Sequence, residues 1–183
     1  MRSSIHVLLM AGILAAAPAV PAQTSYGPEI SAEDYGQHLW ALRAAGFSQP
    51  GDAAFAEQHT RAYLETQLER LGLQALEIDC AGKVRGLQAV LPGTGSDPVQ
   101  VLYLAQWQDA ERMAALLEVI ERFLTQSRPK HEVTFLFAGA EATRLAKCPG
   151  WQDAQVITLP GDLGKLDAAA LVATLNALYM QGR

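Results

Sequence analysis

Apolar positions recur along the chain at two spacings, one helical and one strand-like, and the two alternate from residue 31 to the end. Ser31 precedes Ala32, Glu33 and Asp34, and Tyr35, Leu39 and Leu42 follow at helical intervals. This predicts a helix capped by Ser31, running to residue 45 and ended by Gly46. Ala62, Leu64, Leu68 and Leu71 form the apolar stripe of a second helix over 53–71, with Gly72 as its terminator. Strands are expected over 73–78, 86–91 and 99–105, the last two joined by the turn Pro92-Gly93-Thr94-Gly95. A helix over 109–125 follows, with Met113, Leu116, Leu117, Ile120 and Leu124 on one side. The continuous apolar run 133–138 predicts a strand covered on both faces, 156–159 a shorter one, and 167–180 a closing helix. Strands alternating with helices predict an α/β fold, a three-layer sandwich with a mostly parallel or mixed sheet flanked by helices.

The N-terminus changes the picture of where this domain resides. Arg2 is followed by an apolar run over 5–17 and then by Pro18-Ala19-Val20-Pro21-Ala22, the order of a secretory signal peptide with a small-residue cleavage site. The apolar core is shorter than the roughly 20 residues of a spanning helix, so residues 1–22 are expected to be cleaved rather than to anchor the chain. Residues 23–183 then form a single exported domain, periplasmic or extracellular, with no membrane span. Loss of Arg2 leaves 13 basic against 19 acidic residues, a net charge of −6 with no Lys/Arg cluster, which argues against a nucleic-acid partner. Cys80 and Cys148 form a disulfide candidate in an oxidising compartment, and the sequence leaves open whether they meet.

Few residues point to chemistry on local grounds. His38 and His59 fall on predicted helices and His131 at the mouth of a strand, with no spacing that pairs them as metal ligands. Glu65, Glu69, Glu118 and Glu121 read as solvated helix faces. Glu141 stands apart, because it follows the apolar strand directly, and α/β proteins place their ligands beyond the C-terminal ends of sheet strands.

Three segments taken in order resemble the di-zinc aminopeptidase family, which includes leucyl aminopeptidases, glutaminyl cyclases, glutamate carboxypeptidases and the non-catalytic transferrin receptor. Gly86-Leu87-Gln88-Ala89-Val90-Leu91-Pro92-Gly93-Thr94 is similar to the family's N-V-V-A-V-L-P-G-T, with Val101 to Ala105 as the strand that follows. Ala114-Ala115-Leu116-Leu117-Glu118-Val119 resembles the family helix D-N-A-S-G-V-A-A-L-L-E-V. Pro129-Lys130 with the run from Val133 to Glu141 resembles P-K-R-T-V-V-F-L-F-F-G-A-E-E, and Lys165-Leu166-Asp167 the closing D-K-L-D. The resemblance implies a zinc-exopeptidase-like fold.

The same resemblance implies two zinc ions held by His, Asp and Glu, with a separate Glu taking a proton from metal-bound water. Where the family has His-x-Asp this chain has Gln106-Trp107-Gln108, and the bridging Asp falls at Gln108 or, one residue on, at Asp109. Glu141 matches the proton-transferring base, while Ala142 occupies the place of a ligand. Carboxamides are neutral and poor zinc ligands. The expectation is therefore a pseudoenzyme: no cofactor, a pocket lined by Gln106, Trp107, Gln108, Asp109 and Glu141, and a binding or structural role toward a peptide or protein partner. Two alternatives stand beside it. One is a residual zinc-dependent exopeptidase or hydrolase using Glu141 and Asp109, and the other a subunit stabilised by a partner.

Overall fold

A computed structural model of the protein describes residues 29–47, 53–80, 84–95, 99–126, 128–139, 148 and 150–183. Two helices open the described chain, α1 (Ala32–Phe47) and α2 (Ala53–Arg70). Strands β1 (Leu76–Cys80), β2 (Val84–Leu91) and β3 (Gln100–Gln106) lead to helix α3 (Ala110–Thr125), and strands β4 (Glu132–Ala138) and β5 (Gln155–Thr158) to the final helix α4 (Ala168–Gln181). The strands form one mixed sheet in the order β1-β2-β4-β3-β5. The pairs β1/β2 and β2/β4 are antiparallel, and β4/β3 and β3/β5 are parallel. The architecture is the α/β arrangement of a mixed sheet flanked by helices that the alternating periods predict. Among the described residues, no helix is long and apolar enough to cross a membrane.

Pleating divides the core into two clusters. Leu87, Ala89 and Leu91 of β2, Val101, Tyr103 and Ala105 of β3, and Val133, Phe135 and Phe137 of β4 face one way, into the main cluster that all four helices join. Tyr103 and Phe135 stack there with ring centroids 5.5 Å apart. The Tyr103 hydroxyl donates to the Leu178 carbonyl at 2.5 Å, tying α4 to the sheet. On the opposite face, Leu102, Leu136 and Ala138 pack with Cys148, joined by Ile78, Leu104, Trp151 and Ala154. Cys148 is disulfide-bonded, and the sequence holds two cysteines.

Local chemistry explains the element ends. Ser31 Oγ accepts from the amides of Glu33 and Asp34, each at 3.2 Å, as the cap of α1. Gly72, with φ of 75°, closes α2: its amide donates to Glu69 and that of Leu73 to Leu68, both at 2.9 Å, the paired bonds of a Schellman turn. This turn accounts for one departure from the sequence expectation. The strand expected over 73–78 begins at Leu76, opposite Gln88, because Leu73 is drawn into the helical core by the turn. The Pro92–Gly95 turn also has a packing reason. Thr94 and Gly95 donate to Pro129 and Lys130 at 2.9 Å, and a Cβ at Gly93 would come within 2.5 Å of the His131 carbonyl carbon.

A second departure concerns α3. The sequence suggests one apolar side and a solvated face at Glu118 and Glu121, but residues from Met113 to Glu121 are all buried. The helix is enclosed by α1, α4, β3 and β4. Both carboxyl groups therefore lie inside the protein.

Candidate functional site

Four of the pocket residues read from the sequence, Gln106, Trp107, Gln108 and Asp109, lie at the C-terminal end of β3, beside that of β4. Gln106 is the last residue of β3 and pairs with Ala138, and the Trp107 amide donates to the Ala138 carbonyl at 2.8 Å. A turn follows, closed by the Asp109 amide donating to Gln106 at 3.0 Å, which sets Gln108 in solvent and Asp109 at the head of α3. Trp107 is only 7% exposed and belongs to the main core cluster. A Cβ at Gly139 would lie 3.6 Å from its ring, so the indole packs beneath the strand exit. Gln106, Trp107, Gln108 and Asp109 are thus brought to one edge. Glu141 and Ala142 lie outside the described residues, as does the Cys80 side chain.

Asp109 caps α3. Its Oδ1 accepts from the Arg112 amide at 3.0 Å, and its Oδ2 lies 3.2 Å from Arg112 Nη1. Both carboxylate oxygens are engaged, one by a backbone donor and one by a fixed cation. Arg112 is held in turn by the Pro160 carbonyl, at 3.3 Å from its Nε. The described part of this edge does not fit a di-zinc centre. Its one acid already faces a guanidinium, which would repel a divalent ion, and its other polar side chains are neutral carboxamides. Among the described residues, no group of three or more His, Cys, Asp or Glu is arranged to hold a metal ion. What the described edge offers chemically is two amide side chains, each able to donate and accept hydrogen bonds.

Beside it, Tyr35 of α1 is pushed up to about 12, first by burial and then by the negative charge of Glu111, with Arg43 acting in the opposite direction. Arg43 Nη2 lies 3.0 Å from Glu111 Oε1, and Glu111 Oε2 accepts from the Gly164 amide at 2.9 Å. This bridge links α1, the first turn of α3 and the loop before α4.

A second polar constellation, absent from the sequence expectation, lies where α1, α2 and α3 meet. His38 is 2% exposed, Glu118 1% and Glu121 6%. His38 Nε2 is 3.8 Å from Glu118 Oε1 and 3.5 Å from Glu121 Oε1, and its Nδ1 is 2.8 Å from the Tyr63 hydroxyl. Glu118 Oε2 accepts from the Ser31 amide at 3.0 Å. Burial, reinforced by the charges of Glu121 and Asp34, pushes the Glu118 carboxyl up to about 8, and the Ser31 amide offsets only part of that. One partial signal was in the sequence: residues 113–120 are apolar except for Glu118, so its neighbours on the helix are all core side chains, though nothing there pairs it with His38.

No protein-family model and no curated protein sequence matches this chain. Similar solved structures include a Zn-dependent exopeptidase from Parabacteroides distasonis, at 18% identity over 63% of this chain and 48% of that one, with a TM-score of 0.47. A glutaminyl cyclase from Bacteroides thetaiotaomicron, at 19% identity, covers 62% of this chain and 48% of its own, with a TM-score of 0.47. A leucine aminopeptidase precursor from the same species gives 19% identity, 62% and 48% coverage, and a TM-score of 0.47. The chain spans about half the length of these structures, which are of the kinds its sequence motifs resemble.

Proposed function

We propose that this protein is an exported, non-catalytic α/β protein that binds a peptide end or a partner's loop at the C-terminal edge of its sheet. The observation that carries this reading is the engagement of Asp109. The acid nearest the position where the resembled family holds its bridging metal ligand is here a helix cap paired with Arg112. Gln106 and Gln108 beside it bring no charge to balance a divalent ion, yet both can bond to backbone amides and carbonyls of an extended chain. Trp107 closes the floor beneath them as packed core.

The test is the metal content of the purified mature protein, followed by zinc titration after chelator treatment, with Glu141→Gln as the control. The expected result is no stoichiometric zinc, and a zinc affinity that is weak and unchanged by Glu141→Gln. One or two tightly held zinc ions per chain, together with aminopeptidase or cyclase activity abolished by Glu141→Gln, would replace this reading with a zinc-dependent hydrolase or transferase.

A further inference from the structure

The three-helix junction holds ionisable groups for which the binding edge has no use. The groups facing Glu118 come from every helix of the junction: Asp34 and His38 from α1, Glu121 from α3 itself, and Tyr63 of α2 through its bond to His38. The His38–Tyr63 pair also borders a cleft of about 600 Å³ between α1 and α2, with Glu33, Trp40 and Arg70 around it, so the junction lies one side chain away from solvent. Two buried carboxyl groups facing one imidazole cannot all be kept charged at low cost, because desolvation and like-charge repulsion act together. The arrangement is easily held when Glu118 keeps its proton, neutral and able to keep its bond from the Ser31 amide.

We propose that Glu118, facing His38 and Glu121, is a proton-operated latch that holds α1 onto α3 when its carboxyl is loaded and releases it when the proton leaves. Release begins at the start of α1, where the Ser31 amide and His38 grip the cluster. It loosens the wall of the cleft that His38 and Tyr63 line. The sheet, anchored by the separate aromatic stack of Tyr103 and Phe135, stays closed. The latch is independent of what binds at the strand ends.

Hydrogen exchange of the purified protein, followed from pH 5 to 9 and corrected for intrinsic exchange rates, tests this. Opening of α1 amides is expected to rise by up to about tenfold per pH unit, one proton being released per opening, while β4 amides, which exchange only on global unfolding, keep opening constants well below those of α1 throughout. Glu118→Gln keeps an acceptor for Ser31 but has no proton to lose, so its α1 profile becomes flat. Glu121→Gln removes the repelling charge, so its rise ends at lower pH than in the parent. Parallel slopes in the parent and Glu118→Gln proteins overturn the proposal, and so do α1 opening constants equal to those of β4 across the range, which would mean that α1 opens only on global unfolding.

Discussion

At the strand ends and at the three-helix junction, the protein sets acidic side chains against the same core, but it neutralises them by different means. Asp109 keeps partial contact with water and has a backbone donor and a guanidinium within 3.2 Å. Glu118 has one backbone donor, sits near a second carboxyl group, and is deprived of water. Compensation by fixed partners leaves an acid structurally occupied, whereas burial with few partners favours a bound proton. The difference teaches where chemistry remains available. At the described part of the edge where α/β proteins commonly place ligands, Asp109 is tied down, and the carboxyl raised by burial lies instead in the helical layer.

The sharpest way to break this comparison is at Trp107. If the edge is a packed floor with polar side chains above it, Trp107→Ala leaves a cavity costing about 3–5 kcal/mol, measured by urea unfolding. A loss below about 1 kcal/mol would instead mark the indole as a contact residue held ready for a ligand.

Next in size is the pH response of Glu118. Its carboxyl is raised to about 8 in the fold, against an ordinary value of 4.5. The folded state therefore holds a proton that the unfolded chain releases. Stability from this group is fully present below pH 4.5, declines as pH rises, and is lost beyond pH 8. Glu118→Gln should accordingly be more stable than the parent at pH 8.5, by on the order of a few kcal/mol, and lose that advantage near pH 4. Urea midpoints at the two pH values decide it.

Smaller effects separate capping from ion pairing. Asp109→Ala removes the cap of α3 and should cost about 1 kcal/mol in thermal unfolding, with little dependence on salt. Arg43→Ala breaks a half-exposed bridge to Glu111 and should cost no more than about 0.5 kcal/mol, vanishing at high salt. If Arg43 proved the more damaging change, the helix junction near Tyr35, rather than the cap, would be what holds the first turn of α3.

Much of the fold was legible because local patterns and tertiary needs agree. Ser31, Asp109 and Asp167 each stand where a helix begins, and the Ser31 cap could be read directly from the residues that follow it. The run 133–138 could be read as a doubly covered strand because it has no polar alternation, and β4 lies inside the sheet. The start of β1 was misplaced by three residues, because strand propensity continues across Leu73 while the Schellman turn claims it. The site was less legible. Gln106, Trp107, Gln108 and Asp109 were singled out by the family resemblance, which sets its metal ligands there, but the capping of α3 by Asp109 and its pairing with Arg112 depend on side-chain geometry that spacing does not fix.

The sequence by itself determined the alternation of strands and helices, the turn glycines and the Ser31 cap, since these follow from neighbours within a few residues. Only the tertiary structure decided that Glu118 and Glu121 are enclosed and meet His38, a residue 80 positions before Glu118 in the chain. Burial of a charged side chain depends on what other segments are laid over it, and a helix's own pattern records only the face it offers. The order β1-β2-β4-β3-β5 was likewise fixed by packing. It joins strands distant in sequence through backbone hydrogen bonds that any residue except proline can make.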